Sequence, residues 1–217
     1  MPEPAFGELE STSAEIEIEQ KFRLDDPTGL ADRLGGLGAQ ARPFERHADT
    51  YYRHPAKDFV VTREALRIRR IEIPSIADAV QVFVTYKGPY LTTGVKAREE
   101  LEWRIDHDDP AGQHFAALLA NLGFREALTV RKTRTPFRLD WEGLRFTVTI
   151  DQAEGLGWFA EVETIATDQG AIEACRDRVT RLARRLDLRS AESRSYLAMA
   201  IAAAGSGADC EKFDGGT

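Results

Sequence analysis

Hydrophobic and polar residues alternate along much of the chain from Glu15 to Ile165. A period of two is typical of β-strands that have one apolar face and one polar face. The pattern predicts eight strands, at Glu15 to Leu24, Pro43 to Tyr52, Ala65 to Glu72, Val80 to Lys87, Lys96 to Asp106, Arg125 to Leu139, Leu144 to Asp151 and Trp158 to Ile165. We expect Glu142-Gly143, which lies between two of these runs, to form a hairpin turn.

Four segments have helical character, and they begin at Asp26-Pro27, near Pro110, at Asp168 and at Tyr196. In the first, Asp26 suits the N-cap and Pro27 the first helical position, and a cluster of glycines follows at Gly35, Gly36 and Gly38. We expect the segments Pro110 to Leu122 and Asp168 to Leu186 to cover the outside of the sheet, and Tyr196 to Ala204 to form a packed terminal helix.

The polar face of the predicted strands carries an unusual amount of charge. Residues of equal parity share a face, so Glu17, Glu19 and Lys21 lie opposite Ile16 and Ile18, with a small irregularity expected near Gln20. The charged side of the later strands holds Arg67 and Arg69, then Arg98, Glu100 and Glu102, then Lys132 and Arg134, then Asp151, and finally Glu161 and Glu163. Val130 has the same parity as Lys132 and Arg134. Placing only these two cations on the charged face therefore requires a local irregularity in the strand after Val130.

A solvated sheet face is the ordinary explanation for polar residues on one side of a strand. Such a face would also use Ser, Thr and Gln, whereas this chain repeats Glu-x-Glu in three strands and Arg-x-Arg or Lys-x-Arg in two more. If the sheet closes with the charged face inward, about eight strands leave a lumen that can hold one small ligand. We therefore predict an α+β fold, an eight-stranded antiparallel closed β-barrel with a polar tunnel inside and helices packed outside.

A lumen lined by both signs of charge needs a ligand or internal pairing, because buried charges are costly when unpaired. Carboxylates are hard oxygen ligands for Mg²⁺ or Mn²⁺, and Arg and Lys bind phosphate oxygens. The net charge of −7 and the pI near 5.3 give no general attraction to nucleic acid or to an anionic membrane. We therefore expect a small-molecule triphosphate that binds together with a divalent metal.

The remaining sequence features concern the two ends of the chain and the cellular compartment of the protein. Residues 1–14 lack the basic and apolar regions of an export signal and are expected to be flexible. Residues 15–204 are predicted to form one domain, and residues 205–217 a disordered tail. Cys175 and Cys210 give no disulfide framework, which favours a reducing compartment, so we expect a cytoplasmic protein.

The order of short motifs resembles the CYTH family, also called triphosphate tunnel metalloenzymes, from Glu15 to Ala200. The matching segments are Glu17-Ile18-Glu19-Gln20-Lys21, Asp49-Thr50-Tyr51-Tyr52, Ala65-Leu66-Arg67-Ile68-Arg69, Tyr86-Lys87-Gly88-Pro89, Arg98-Glu99-Glu100-Leu101-Glu102, Lys132-Thr133-Arg134, Asp151 with Gly155-Leu156-Gly157, and Glu161-Val162-Glu163. The stretch from His47 through Arg69 looks most like the class IV adenylate cyclase branch. Arg53 stands where that branch often has Asp or Asn, which leaves substrate preference open.

The resemblance implies a role for each charged residue of the tunnel. It implies that the divalent metals, Mg²⁺ or Mn²⁺, are held by Glu17, Glu19, Asp151, Glu161 and Glu163, with Glu100 assisting and Glu102 a weaker candidate. It implies that the phosphates are gripped by the catalytic cations Lys21, Arg67, Arg69, Lys87, Lys132 and Arg134, together with Arg98. Salt bridging within the barrel is the alternative for all of them.

Other polar and aromatic residues receive no catalytic role. We expect His47 and His54 to be surface or loop residues, and Tyr51, Tyr52, Trp103 and Trp158 to be packing groups. Ser195-Tyr196 falls where relatives close one tunnel end with the last helix.

The resemblance is compatible with conversion of ATP to cyclic AMP and pyrophosphate. It is also compatible with hydrolysis of inorganic, thiamine or nucleoside triphosphate, and the same residues could bind a polyphosphate without turnover. Relatives in this branch imply a possible homodimer.

Overall fold

The computed structural model describes residues 15–76, 79–92 and 94–208. The described part of the chain contains nine strands and five α-helices. The strands are β1 (Glu15–Arg23), β2 (Gln40–Ala41), β3 (Glu45–Arg53), β4 (Ala65–Glu72), β5 (Val80–Lys87), β6 (Lys96–Arg104), β7 (Arg125–Trp141), β8 (Leu144–Ala153) and β9 (Gly157–Ala166). The helices are α1 (Pro27–Gly36), α2 (Phe59–Thr62), α3 (Gln113–Asn121), α4 (Ile172–Arg185) and α5 (Tyr196–Ala208).

Eight of the strands close into an antiparallel barrel in the order β7, β3, β4, β5, β6, β1, β9, β8. Pairing between β8 and β7 closes the ring and places Asp151 opposite Arg134. The predicted closed eight-stranded barrel is therefore confirmed. The ninth strand, β2, pairs with two residues of β7 and was not predicted, because two residues are too few to show a period.

Two irregularities expected from the sequence are absent. Strand β1 pairs with β9 without a shift from Ile16 to Arg23, and Gln20 keeps the parity of the apolar face. Strand β7 pairs with β3 without a shift from Val130 to Arg134, so Val130 shares the inner face with Lys132. Val130 is buried there against α5, because this end of the barrel interior is apolar.

The hairpin between β7 and β8 forms as predicted at Glu142 and Gly143. Their φ angles are 47° and 77°, and positive φ at both central residues is the signature of a type I′ turn. This turn matches the right-handed twist of the two long strands and so supports the register that closes the barrel.

The helix starts follow local capping. The Asp26 carboxylate accepts a hydrogen bond from the Gly29 amide at 2.9 Å, so α1 begins at Pro27 as predicted. Helix α3 begins at Gln113 rather than near Pro110, because Gly112 adopts a φ of 70° in close contact with the outer face of β4 and β5. Asp168 caps a 3-10 turn at Gln169–Ala171 that leads into α4.

The last helix is longer than predicted. Helix α5 continues to Ala208, so the first four residues of the predicted disordered tail are helical. The predicted flexible segment 1–14 and residues 209–217 lie outside the described residues.

Helices cover the barrel wall in two places. Helices α1 and α4 pack on the outer apolar face of β1, β8 and β9, where Ile18, Phe146 and Leu182 are fully buried. Full burial of a side chain of this size contributes about 1.5–3 kcal/mol, so this layer is the main core. Helix α3 covers Val82 and Val84 on the opposite wall. In the described residues no helix has the length and apolar character needed to cross a membrane.

Helix α5 closes one end of the barrel rather than covering its wall. Tyr196 and Met199 pack against Tyr51, Val130 and Phe159, which are buried at that end. The position suggested for Ser195-Tyr196 from the family resemblance therefore matches the fold.

Candidate active site in the barrel interior

The interior of the barrel, which we call the tunnel, is lined by the charged face of the strands. Residues that pair across strands share a face, and the charged pairs are Glu17 with Arg98, Glu19 with Lys96 and Glu163, Lys21 with Glu161, Lys87 with Glu100, Asp49 with Arg69, and Arg134 with Asp151. Most of these side chains are buried although they are charged. The solvated-face alternative is therefore wrong, because an outer face would leave them in water.

One cluster joins β1, β5 and β6. The Lys87 ammonium lies 2.7 Å from Glu17 Oε2 and 2.5 Å from Glu100 Oε2, and Arg98 Nε lies 3.8 Å from Glu17 Oε2. Burial raises the pKa of Glu17 despite Lys87. Burial also acts to raise the pKa of Glu100. Lys87 and other partners have the larger effect, and the pKa of Glu100 is lowered to about 2. Lys87 therefore bridges two acidic residues.

A second cluster is built around Asp151 on β8, which has no exposed surface. The Arg134 guanidinium donates to both Asp151 oxygens, at 2.7 and 2.6 Å, and also to Glu161. Lys132 Nζ lies 3.0 Å from Asp151 Oδ2, and the Tyr196 hydroxyl donates to the same oxygen at 2.8 Å. Burial and the neighbouring Arg134 lower the pKa of Lys132 to about 8.

Lys21 extends this second cluster to the first strand. Its ammonium lies 3.0 Å from Glu161 Oε1 and 4.1 Å from the centre of the Tyr196 ring. Burial alone would lower the pKa of Lys21, but Glu161 and Glu19 raise it above its usual value. Lys21 is therefore a fixed cation between the acidic residues of β1 and β9.

A third cluster shows a residue to which the sequence assigned no role. Asp49 on β3 receives two hydrogen bonds at 2.7 Å from Arg69 and one at 3.3 Å from Arg67. Asp49 is buried, and Arg69 and Arg67 hold its pKa well below its usual range although burial opposes them. It orients both guanidinium groups, and only the register of β3 with β4 and β7 reveals its position, because both faces of β3 are polar.

His47 lies inside the tunnel, so the expectation of a surface or loop residue is wrong. Its Nε2 lies 2.6 Å from Glu45 Oε2, and its buried Nδ1 has no hydrogen-bond partner. Burial, followed by the charges of Arg69, Lys132 and Arg134, lowers the pKa of His47 far below its usual value. His54 does lie in a loop as predicted, against Phe59 and Phe124.

The outer rim and wall hold residues that the tunnel does not use. Glu102 is exposed and accepts a hydrogen bond from the Thr85 hydroxyl at 2.7 Å, so it is the weakest of the acidic candidates. Tyr51 and Tyr52 are buried as expected of packing groups, whereas Trp103 is 51% and Trp158 40% exposed. The packing prediction is therefore wrong for the two tryptophans.

Several buried polar atoms on the tunnel walls have no hydrogen-bond partner within the described part of the protein. These atoms are Glu19 Oε1, Lys96 Nζ, Arg67 Nε and Thr149 Oγ1. Unsatisfied buried groups cost about 1–3 kcal/mol each, and more when charged, so native proteins keep few of them without a function. A ligand that supplies both negative oxygens and positive charge would satisfy them.

The acidic residues of β1 and β9 have the donor chemistry for a divalent cation. Glu163 pairs across the strands with Glu19, and burial and the charge of Glu17 raise the pKa of Glu163 to about 8. A bound cation would relieve this repulsion with oxygen ligands of the type that Mg²⁺ and Mn²⁺ prefer. Among the described residues no three His, Cys, Asp or Glu side chains are already grouped closely enough to hold a metal. The carboxylates therefore fit a cation by their chemistry, and two of them, Glu17 and Glu161, form ion pairs with Lys87 and Lys21.

Comparison with known proteins agrees with this geometry. The CYTH domain matches residues 15–196. A protein of Methanocaldococcus jannaschii provisionally named an adenylate cyclase is 34% identical over 153 residues, which cover 70% of this chain and 79% of that protein. Adenylate cyclase CyaB of Aeromonas hydrophila is 30% identical over 184 residues, covering 83% of this chain and 86% of that protein.

Solved structures show the same architecture. A Pyrococcus horikoshii protein is 34% identical, covers 86% of this chain and 98% of its own, and superposes with a TM-score of 0.75. A Hippeastrum protein described as having a dominant triphosphatase activity is 21% identical, covers 85% of this chain and 93% of its own, and has a TM-score of 0.59, which shows the shared fold. With a charged tunnel, a closed eight-stranded barrel and a domain match over most of its length, the chain belongs to the CYTH domain family.

Proposed function

We propose that this protein is a divalent-metal-dependent enzyme that converts ATP to cyclic AMP and pyrophosphate inside the tunnel. The observation that carries the proposal is the pair of charged tunnel walls, with cations of β4 and β7 facing the carboxylates of β1 and β9 and with unsatisfied polar atoms on both. The adenylate cyclase name of the Aeromonas hydrophila relative supports this choice of reaction.

The basic residues would bind and align the phosphates. Arg67 and Arg69 are held in place by Asp49, and Arg134 is held by Asp151, so their guanidinium groups are oriented before a ligand arrives. Preorganised cations stabilise charge that develops during phosphoryl chemistry without a cost of reorganisation. Lys87 and Lys132 would add point charges that follow the phosphate oxygens.

The acidic residues would hold the metal. Glu17, Glu19 and Glu163 supply oxygen donors from adjacent strands, with Asp151 and Glu161 on the neighbouring part of the wall. When bound, a divalent cation would neutralise phosphate charge and polarise the reacting phosphorus. The ribose 3′-oxygen would attack the α-phosphorus, its proton would leave to a base, and pyrophosphate would depart with the bond electrons.

A triphosphatase is the second candidate. It is supported by the triphosphatase activity described for the Hippeastrum protein of the same fold. The tunnel residues would serve this reaction equally well, because water would attack the terminal phosphorus in place of the ribose hydroxyl.

The test is product analysis with the purified full chain. The protein is incubated with Mn²⁺ or Mg²⁺ and with ATP, thiamine triphosphate or inorganic triphosphate, and cyclic AMP, pyrophosphate and phosphate are separated. Equal amounts of cyclic AMP and pyrophosphate from ATP support the cyclase. Release of phosphate without cyclic AMP supports the triphosphatase, and metal-dependent binding with no product from any substrate would leave a non-catalytic polyphosphate-binding protein.

A further inference from the structure

A second cavity lies beside the tunnel, at the same barrel end as α5 but on the side where β5 leads into β6. Its volume is about 490 Å³, and its lining includes Val61, Arg63, Pro89, Tyr90 and Leu91. We call this cavity the mouth pocket. Its size falls within the range of about 300–1,000 Å³ that is usual for small-ligand sites.

Tyr90 connects the mouth pocket to the tunnel. Its ring centre lies 5.3 Å from the Arg98 guanidinium carbon and 5.7 Å from Lys96 Nζ, and both cations belong to the inner face of β6. The backbone on either side of Tyr90 is fixed, because the Gly88 amide donates to Glu99 O at 2.9 Å and the Leu91 amide donates to Ala97 O at 2.7 Å. The ring is therefore held at the border between the mouth pocket and the charged tunnel.

The same border carries an unsatisfied cation next to the acidic strand. Lys96 Nζ is buried without a hydrogen-bond partner, and it lies 3.8 Å from Glu19 Oε1. Arg98 on β6 lies 3.8 Å from Glu17, which is on β1 like Glu19. The cations Arg69, Lys132 and Arg134 lie farther round the barrel, on β4 and β7. A triphosphate that extends from Lys96 and Arg98 toward those residues would have one end at the mouth pocket.

We infer that the mouth pocket binds the organic end of the triphosphate, and that Tyr90 stacks against an uncharged aromatic heterocycle such as a purine base. This inference rests on the proposed function. Half-buried Tyr90 supplies the stacking face, and the side chains of Val61 and Leu91, which are 76% and 46% exposed, supply apolar surface that a base would cover. Stacking on an aromatic ring contributes about 1–3 kcal/mol per base in single-stranded nucleic-acid complexes.

Charge at the mouth pocket selects among organic groups. The Arg63 guanidinium carbon lies 6.0 Å from the Tyr90 ring centre. With Lys96 and Arg98 it makes three cations near this ring. A permanently cationic heterocycle such as the thiazolium of thiamine would be repelled there, whereas a neutral base would accept hydrogen bonds from the cations. The pocket therefore favours a nucleoside triphosphate over thiamine triphosphate.

The experiment compares the binding of two ligands in which both bridging phosphate oxygens are replaced by methylene, so that neither is turned over. One ligand is inorganic triphosphate and the other carries adenosine. With Mn²⁺ and the full-length protein, Tyr90→Ala should weaken the adenosine ligand by about tenfold or more and the inorganic ligand by less than about twofold. Tyr90→Phe should keep wild-type affinity for both, and Trp103→Ala, which removes an exposed aromatic ring from the outer wall, should change neither.

Each result separates this inference from the proposed function. If Tyr90→Ala lost equal affinity for both ligands, or lost affinity for neither, the assignment of the organic group to the mouth pocket would be wrong. Metal-triphosphate binding in the tunnel would still stand. Failure of the wild-type protein to bind either ligand would overturn the proposed function as well. If thiamine triphosphate competed as strongly as ATP and lost as much affinity in Tyr90→Ala, the charge selection would be wrong.

Discussion

The hydroxyl of Tyr196 donates a hydrogen bond to Asp151 Oδ2 at 2.8 Å and thereby connects the last helix, α5, to strand β8 of the tunnel wall. Asp151 has no exposed surface and also binds Lys132 and Arg134. A helix that closes the barrel end thus takes part in the same hydrogen-bond network as Lys132 and Arg134, the cations that we propose to bind phosphate. Changes in α5 should therefore alter both stability and the tunnel charges.

Replacement of Tyr196 by Phe removes this one hydrogen bond and keeps the ring. Hydrogen bonds to charged groups contribute about 1.5–3 kcal/mol, so Tyr196→Phe should lower the free energy of unfolding by that amount in urea titrations. Tyr52→Phe is the matched control, because the Tyr52 hydroxyl makes only a 3.5 Å contact with Glu126. Equal stability of wild type and Tyr196→Phe would contradict the tie between α5 and Asp151.

The buried His47 predicts a specific dependence of stability on pH. Its folded-state pKa is lowered, so the unfolded chain takes up the proton first and stability is lost as pH falls below about 6.5. Between pH 6.5 and 5.5 this group alone removes about 1 kcal/mol. His47→Gln should therefore lose less stability than wild type over that interval, measured by urea unfolding at each pH.

The control for His47 is His114→Gln, since the His114 side chain is 88% exposed. Its stability curve should run parallel to that of the wild type. Parallel curves for wild type and His47→Gln would show that His47 is protonated without penalty and is not buried among the tunnel cations.

The raised pKa of Glu163 predicts that metal binding releases a proton. Burial and the charge of Glu17 raise its pKa to about 8, so at pH 7 the metal-free carboxyl is largely protonated and must ionise to bind a cation. Calorimetry of Mn²⁺ binding in buffers of different ionisation enthalpy should show release of about one proton at pH 7 and weaker binding at lower pH. Glu163→Gln should abolish the release, and the exposed Glu154→Gln should keep it.

Alternation along the strands was enough to predict most of the tunnel lining. Glu17, Glu19 and Lys21 alternate with apolar residues that face the α1 and α4 layer, so only one arrangement buries the apolar side. The same reasoning placed Arg67 inside, where it is buried and donates to Asp49. Arg134 was placed inside only with a slip near Val130, which the pairing of β7 with β3 does not show. A period of two is sufficient wherever one face is clearly hydrophobic.

Strand β3 was harder to interpret because both of its faces are polar. Arg46, Ala48 and Thr50 lie on one side and His47 and Asp49 on the other, so no apolar stripe indicates which side is buried. The roles of His47 and Asp49 therefore required the register with β4 and β7.

Which acid pairs with which base also depends on three-dimensional information. The pairing of Arg134 with Asp151 and Glu161 depends on the stagger between strands that closes the barrel, and alternation within one strand contains no information about that stagger. Tyr90 was missed because it lies in a loop, where residue parity has no meaning. The motifs found in the sequence identified the family, while the contacts identify the network.

The central claim is that the tunnel binds a triphosphate together with a divalent metal held by the first strand. Calorimetry with the methylene analogue of inorganic triphosphate, with and without Mn²⁺, tests it on wild type, on the double variant Glu17→Gln/Glu19→Gln, and on the exposed control Glu99→Gln/Glu154→Gln. We predict about one ligand bound per chain, only with Mn²⁺, and a loss of about 100-fold or more in the tunnel variant alone. Binding that needs no metal, or that is unchanged in the tunnel variant, would contradict the claim.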